Sequence, residues 1–154
     1  MELTRVLPPE EYAIALDAWR WIGWEGTTPR FHSLFGDVFF EGPSGFWFLD
    51  TIEGSFTMAW PTEADLRASL AGDEGIDRYL LGPLAVRAAN EGVELGPAQV
   101  FSFLPPPALG GALAFDHLVV YDFVVAVHLA GQLHEQIRDM PEGSVISGVR
   151  FDEG

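Results

Sequence analysis

The chain has 154 residues, 48% hydrophobic and 13% aromatic, which is too apolar for a disordered tail and long enough to bury a sizeable core in one domain. Twenty-three acidic residues against eight basic ones, every one of them arginine, give a formal net charge of −15; such a field disfavours direct nucleic-acid binding and anionic membranes and favours a basic protein partner. No cysteine is present to form a disulfide or a thiolate metal site, and no stretch approaches the roughly 20 apolar residues of a membrane span. Met1 to Arg5 lead to Pro8-Pro9 without the apolar core of a signal peptide, so the expected compartment is the cytoplasm.

Glu10 and Glu11 follow Pro8-Pro9, and Tyr12, Leu16 and Trp19 recur at helical spacing, predicting an amphipathic first helix that packs on a sheet. Trp21, Trp24 and Phe31 lie among Gly23, Gly26 and Pro29 and read as a loop tucking aromatics into the core edge. Three aromatic-rich runs follow, Asp37 to Glu41, Phe46 to Asp50 and Ser55 to Trp60, separated by Gly42-Pro43-Ser44-Gly45 and Glu53-Gly54. In the third, Phe56, Met58 and Trp60 alternate with small or polar residues, predicting one buried face in an antiparallel meander.

Thr62 with Asp65 three residues on marks a helix carrying Leu66 and Leu70 and stopped by Gly72. Asp73 is placed to cap the next helix, where Ile76, Leu80 and Leu84 are interrupted by Gly82-Pro83, giving a kink or two short helices ending at Gly92. Gln99 to Leu104 reads as a strand halted by three prolines, and Leu118 to Tyr121 as another, after which Asp122 can cap the last long helix. That helix bears an apolar stripe of Ala126, Ala130, Leu133, Ile137 and Met140 and a polar stripe of His128, Gln132, Glu135 and Asp139. Val145, Ser147, Val149 and Phe151 alternate as an edge strand would. The whole predicts an α+β fold, an antiparallel sheet packed by several helices in a single domain over 1–154.

Chemistry-bearing groups sort toward structure. His128 and His134, six apart, diverge by about 120° around a helix and do not share a metal; with His32 and His117 distant in sequence, no metal site is expected, and the imidazoles read as hydrogen-bonding groups at the helix margin. Asp50 and Glu53 could act as a carboxylate pair if held about 5 to 9 Å apart in a cleft. A hairpin-ending role explains Asp50 more simply, and Glu53 stays open between the two. Pro105 to Gly111 lacks the lysine of a phosphate loop and its three prolines have no N–H to give, so it reads as a stiff strand exit and a flexible turn, structural or in contact with a partner; no serine stands in a nucleophile-elbow setting. No catalytic residues and no cofactor are expected.

Four blocks carry a resemblance: Phe35-Gly36-Asp37-Val38-Phe39; Leu49-Asp50-Thr51-Ile52-Glu53-Gly54; Leu95-Gly96-Pro97 through Pro107-Ala108-Leu109-Gly110-Gly111; and Val127-His128-Leu129-Ala130-Gly131-Gln132-Leu133-His134-Glu135-Gln136 through Pro141. In this order they resemble the type VI secretion DNase immunity family, whose domains are also described as GAD-like and, C-terminally, as a domain of unknown function. The resemblance runs from about Tyr12 to Pro141, with the last two blocks the most specific. It implies a bacterial protein that neutralises a toxic nuclease by stoichiometric binding, without catalysis. Acidity suits that role, because a nuclease is basic where it grips phosphate. The expected binding surface comprises exposed acids near the meander turn, Asp37, Asp50 and Glu53, and the stripe His128, Gln132 and Glu135, on a monomer or homodimer. The competing readings are an orphan interaction or regulatory module of the same fold and an enzyme working through Asp50 and Glu53.

Overall fold

The computed structural model describes residues 1–140; the alternating tail from Val145 to Phe151 lies outside the described residues. Five antiparallel strands form a meander in sequence order: β1 (Thr4–Arg5), β2 (Thr28–Ser33), β3 (Val38–Gly42), β4 (Gly45–Asp50) and β5 (Ser55–Trp60). A second sheet pairs β6 (Gln99–Phe103) with β7 (Leu118–Asp122). The helices are α1 (Pro9–Leu16), α2 (Glu63–Ala71), α3 (Asp73–Leu80), α4 (Gly82–Asn90) and α5 (Phe123–Ile137). This is the expected α+β architecture.

Both faces of the meander are covered, which explains why Val38, Phe39 and Phe40 are consecutive and all inaccessible. Val38, Phe40 and Leu49 face a cluster with Tyr12, Leu16, Trp19, Phe123 and Val127 from the α1 and α5 side. Phe39, Phe48 and Trp60 face the opposite cluster with Leu66 and Leu80 of α2 and α3. A third cluster joins Leu34 and Phe35 to Ala85 and Ala88 of α4 and to Phe101 and Phe103 of β6. Backbone bonding ties the second sheet to the first, since Phe101 N–H donates to the Leu34 carbonyl at 2.8 Å.

Four local expectations are corrected. The stretch around Phe31 is strand β2, not a loop; Pro29 is accommodated where the β2–β3 register shifts between Pro29 and Phe31. The three alternating residues of β5 do not share one buried face. Phe46 pairs with Trp60 but Trp47 with Met58, so a bulge turns Trp60 to the α2 and α3 side and leaves Met58 exposed at the edge. Trp19 belongs to a 3₁₀ segment, Asp17–Ile22, that follows α1 and ends at Gly23 in the left-handed region, φ 84°. Asp73 stands inside the first turn of α3 and does not cap it; the cap position is Gly72. Asp122 does occupy the cap position of α5, with no side-chain cap hydrogen bond.

Candidate functional site

The strongest polar organisation lies where the β4–β5 turn meets α5. Asp50 ends β4 by accepting from the amides of Ile52 and Glu53 at 3.0 and 2.9 Å on Oδ1, while Gly54 N–H donates to its carbonyl. That is a turn-forming role, as its spacing suggested. Beneath it, Asp37 Oδ1 accepts from the Thr51 amide at 2.8 Å and the Thr51 hydroxyl at 2.7 Å. From the other side His134 Nε2 donates to the Thr51 carbonyl at 3.0 Å. Residue 51 is therefore clamped between β3 and α5.

This clamp corrects two expectations. Asp37 is not an exposed acid but 4% accessible. The tight turn Ser33–Asp37, in which Ser33 Oγ accepts from the amides of Phe35 and Asp37, turns its carboxyl inward under Thr51. Desolvation, reinforced by the neighbouring Asp50 charge, raises its pKa to about 8. His134 is likewise not at a margin but buried. Its ring packs on Trp19 at 5.6 Å and against Gly54, where φ is 76° and any Cβ would overlap the imidazole. Burial lowers its pKa, so the neutral ring with its proton on Nε2 is the form that fits.

The polar stripe of α5 faces elsewhere. Gln132 Nε2 donates to His128 Nε2 at 3.1 Å, and His128 Nδ1 donates to the Ile14 carbonyl of α1 at 3.4 Å. His128 and Gln132 thus lie along α1, whereas Asp37, Asp50 and Glu53 gather around His134. Glu53 and Glu135 are exposed, and His128, Gln132 and Asp50 are half-buried. The six residues do not form one surface.

A cleft opens between the β4–β5 turn, α5 and the loop after β6. Its outer chamber, about 410 Å³, is walled by Trp21, Glu53, Gly54, His134 and Arg138 among others. The inner chamber, about 300 Å³, is mostly apolar, walled by Leu104, Leu109, Tyr121, Ala126, Leu129 and Leu133 and reaching Thr51 and Ser102. Ile52, Pro107, Ala108 and His134 wall both chambers. The segment Pro105 to Gly111 stands over the cleft as a 3₁₀ turn, Pro107–Leu109, closed by amides of Leu109, Gly110 and Gly111 donating back to Pro106 and Pro107. Sequence reasoning missed His134, Thr51 and Tyr121 as site residues. His134 carried one signal, standing four residues after Ala130 of the apolar stripe.

Among the described residues no group of three or more His, Asp or Glu is placed to hold a metal ion, and no helix is long and apolar enough to cross a membrane.

Residues 63–134 match the family model described as T6SS immunity protein Tdi1, C-terminal. The match supports the resemblance to type VI secretion immunity proteins. It takes in α2 to α4, the second sheet, the proline loop and α5 as far as His134, and so two walls of the cleft, while the meander precedes it. No curated protein matches. Among solved structures the chain is similar to that described as "Crystal structure of Atu4351 from Agrobacterium tumefaciens", with a TM-score of 0.59 and 21% identity over 84% of this chain. The chain spans 66% of that structure's length. At this identity the likeness concerns the fold.

Proposed function

We propose that this chain is an immunity-type protein that binds a toxic effector and neutralises it by covering its active surface, without catalysis of its own. The match of residues 63–134 to the immunity-protein model carries the reading. We take the effector to be a basic protein of the DNase class, the immunity chain to be a cytoplasmic monomer or homodimer, and the meander half to be GAD-like. Charge supports this choice. With a net charge of −15, the chain repels DNA and attracts a surface built to grip it. The described arginines are already engaged internally: Arg20, Arg30, Arg67 and Arg138 with acids, Arg78 and Arg87 over aromatic rings, and Arg5 with the Gly96 carbonyl. The excess carboxylates are thereby left for a cationic partner. Asp50, Glu53, His128, Gln132 and Glu135 remain candidate contacts, with Asp37 acting behind them as the anchor of the turn.

The test has two steps. Tagged full-length chain is used to recover bound proteins at controlled salt, and each recovered protein is then co-expressed with the chain in a sensitive bacterial host. The expected result is a basic nuclease that kills the host alone and not with the chain, with protection weakened by Glu53→Arg together with Glu135→Arg. A recovered partner without toxicity, or toxicity that the chain leaves untouched, contradicts the reading and favours an interaction module without a toxin.

A further inference from the structure

Helix α5 carries two apolar flanks, of which one is sealed and one is open. On the sealed flank Trp19 Nε1 donates to the Val127 carbonyl at 2.8 Å, and Gly131 lies so close to Ala18 that a Cβ would fall 2.7 Å from its carbonyl oxygen. On the open flank Ala126, Leu129, Ala130 and Leu133 line the inner chamber of the cleft. From Ala126 to Ile137 the cleft follows twelve residues of helix, eleven steps or about 16 Å at 1.5 Å per residue. That length suits three turns of a partner helix or about five extended residues.

Exposed apolar side chains form part of the wall of this opening. Of the eleven large hydrophobic residues exposed in the described structure, five (Leu104, Leu109, Leu113, Tyr121 and Val125) fall between 104 and 125, and three of these wall the chamber itself. An exposed apolar patch bordering a pocket marks a docking site more than a solvated surface. The opposite wall limits how anything can dock. Pro105, Pro106 and Pro107 have no N–H, and the amides of Leu109, Gly110 and Gly111 are bonded within the loop. This wall therefore cannot extend a partner strand by backbone pairing and must recognise side chains.

Charge selects the occupant. Glu53 stands exposed in the outer chamber without an ion pair among the described residues. Arg138 on the same wall is paired with Asp139 and lies over Trp21. The unpaired charge of this chamber is therefore that of Glu53 and has the sign of the chain's net charge of −15, which repels anionic lipid and nucleic acid and attracts a cationic segment.

We propose that the groove between α5 and the proline loop is the docking surface of this chain, and that its occupant is a segment of a basic protein that inserts apolar side chains beside Tyr121 and Leu129 and sets a flanking Lys or Arg against Glu53. The identity of that protein as a toxin rests on the immunity reading; the location and chemistry of the surface do not.

Site-directed photocrosslinking in the source bacterium tests it. p-Benzoylphenylalanine replaces Tyr121 or Leu109 in the groove, or Ile14 or Met58 at exposed positions away from it, in the full chain. The expected result is a hetero-adduct with a basic protein from positions 121 and 109, at least tenfold more abundant than from 14 or 58. Leu129→Glu should remove it, and Glu53→Arg should reduce it at low salt, with unchanged thermal unfolding as the control for folding; Tyr121→Ala, read from position 109, is the milder second variant. Equal adducts at Ile14 or Met58, an adduct with a second copy, an internal adduct with residues 141–154, or no adduct would each overturn the proposal. A toxin crosslinked only from Ile14 or Met58 overturns the groove and leaves the immunity reading standing. A basic protein crosslinked from the groove that is harmless to the host overturns the immunity reading and leaves the groove standing.

Discussion

The two flanks of α5 are built from the same kinds of residue and end in opposite conditions. Toward the 3₁₀ segment Asp17–Ile22 the helix is locked, because Gly131 removes the side chain that would hold Ala18 away and both Trp19 and Trp21 donate indole hydrogens to α5 carbonyls. Toward the proline loop the helix presents Leu129 and Leu133 to a cleft of about 300 Å³. Apolar periodicity is common to both flanks. What separates them is the shape and bonding of the opposing wall: close-packed tryptophans on one side, a turn closed upon itself on the other. An apolar helix stripe therefore specifies that a surface wants covering, and the partner element decides whether the chain covers it alone.

Substitutions that treat the flanks alike should show how different they are. Gly131→Val drives two methyl groups into the Ala18 backbone, and we expect a loss of about 3 kcal/mol in chemical denaturation. Leu129→Ala, half-buried on the open flank, should cost about 1 kcal/mol or less, since a wall already bordered by space loses few contacts. Equal costs would erase the contrast. At the turn, Gly54→Ala should cost about 2 kcal/mol because it combines a left-handed φ with overlap on His134. In a His134→Ala background the overlap is gone, so the same change should cost clearly less; strict additivity in the double-mutant cycle would show that ring and turn are not in contact.

The buried clamp gives a pH signature. Asp37, raised to about 8 from an ordinary 3.8, holds a proton in the folded chain that the unfolded chain has released. Its contribution is fully present below about pH 4 and is lost as pH rises through about 8, with a slope of at most about 1.4 kcal/mol per pH unit. His32, lowered to about 4 by burial and by the Arg5 charge, acts in the opposite sense: its contribution is present above pH 6.5 and lost as pH falls through 4. The lowered His134 pKa has the same sign as that of His32. Between pH 7 and 8.5 the histidine effects are complete, so the decline due to Asp37 stands alone and Asp37→Asn should flatten it. A slope unchanged by that substitution would remove Asp37 as its source. Smallest of all, Glu53→Gln and Glu135→Gln should leave stability within about 0.5 kcal/mol while weakening partner affinity severalfold in a salt-dependent titration.

Much of this organisation was legible because local chemistry and tertiary packing agree. Turn glycines and prolines marked β3 to β5, Thr62 marked the start of α2 through its bond from Asp65 N–H, and Gly82-Pro83 divided α3 from α4 at Leu81, whose φ is 48°. β1 and β2 escaped because their residues have meaning only beside β3. Thr4 and Arg5 are too few to show a period, and Pro29 argues against a strand unless the register shift is known. The buried site escaped for a related reason. Nothing in the spacing of Gly54 and His134, eighty residues apart, says that one lacks a side chain so that the other can enter. Asp37 carried a weak sign of burial, lying between Leu34-Phe35 and the run Val38-Phe39-Phe40. Acids in turns are usually solvated, and only the inward aim of the Ser33–Asp37 turn reverses that.

Hydrogen exchange of the full chain with and without the basic protein recovered by crosslinking tests the central claim most directly, since it reports both flanks of α5 in one experiment. Binding in the groove predicts added protection in residues 104–113 and in the turn 51–54, with the already sealed segment 15–22 unchanged. Protection confined to the α1 side of α5, or to β3 and β4 away from their turn, would contradict the account and place the partner on a different face.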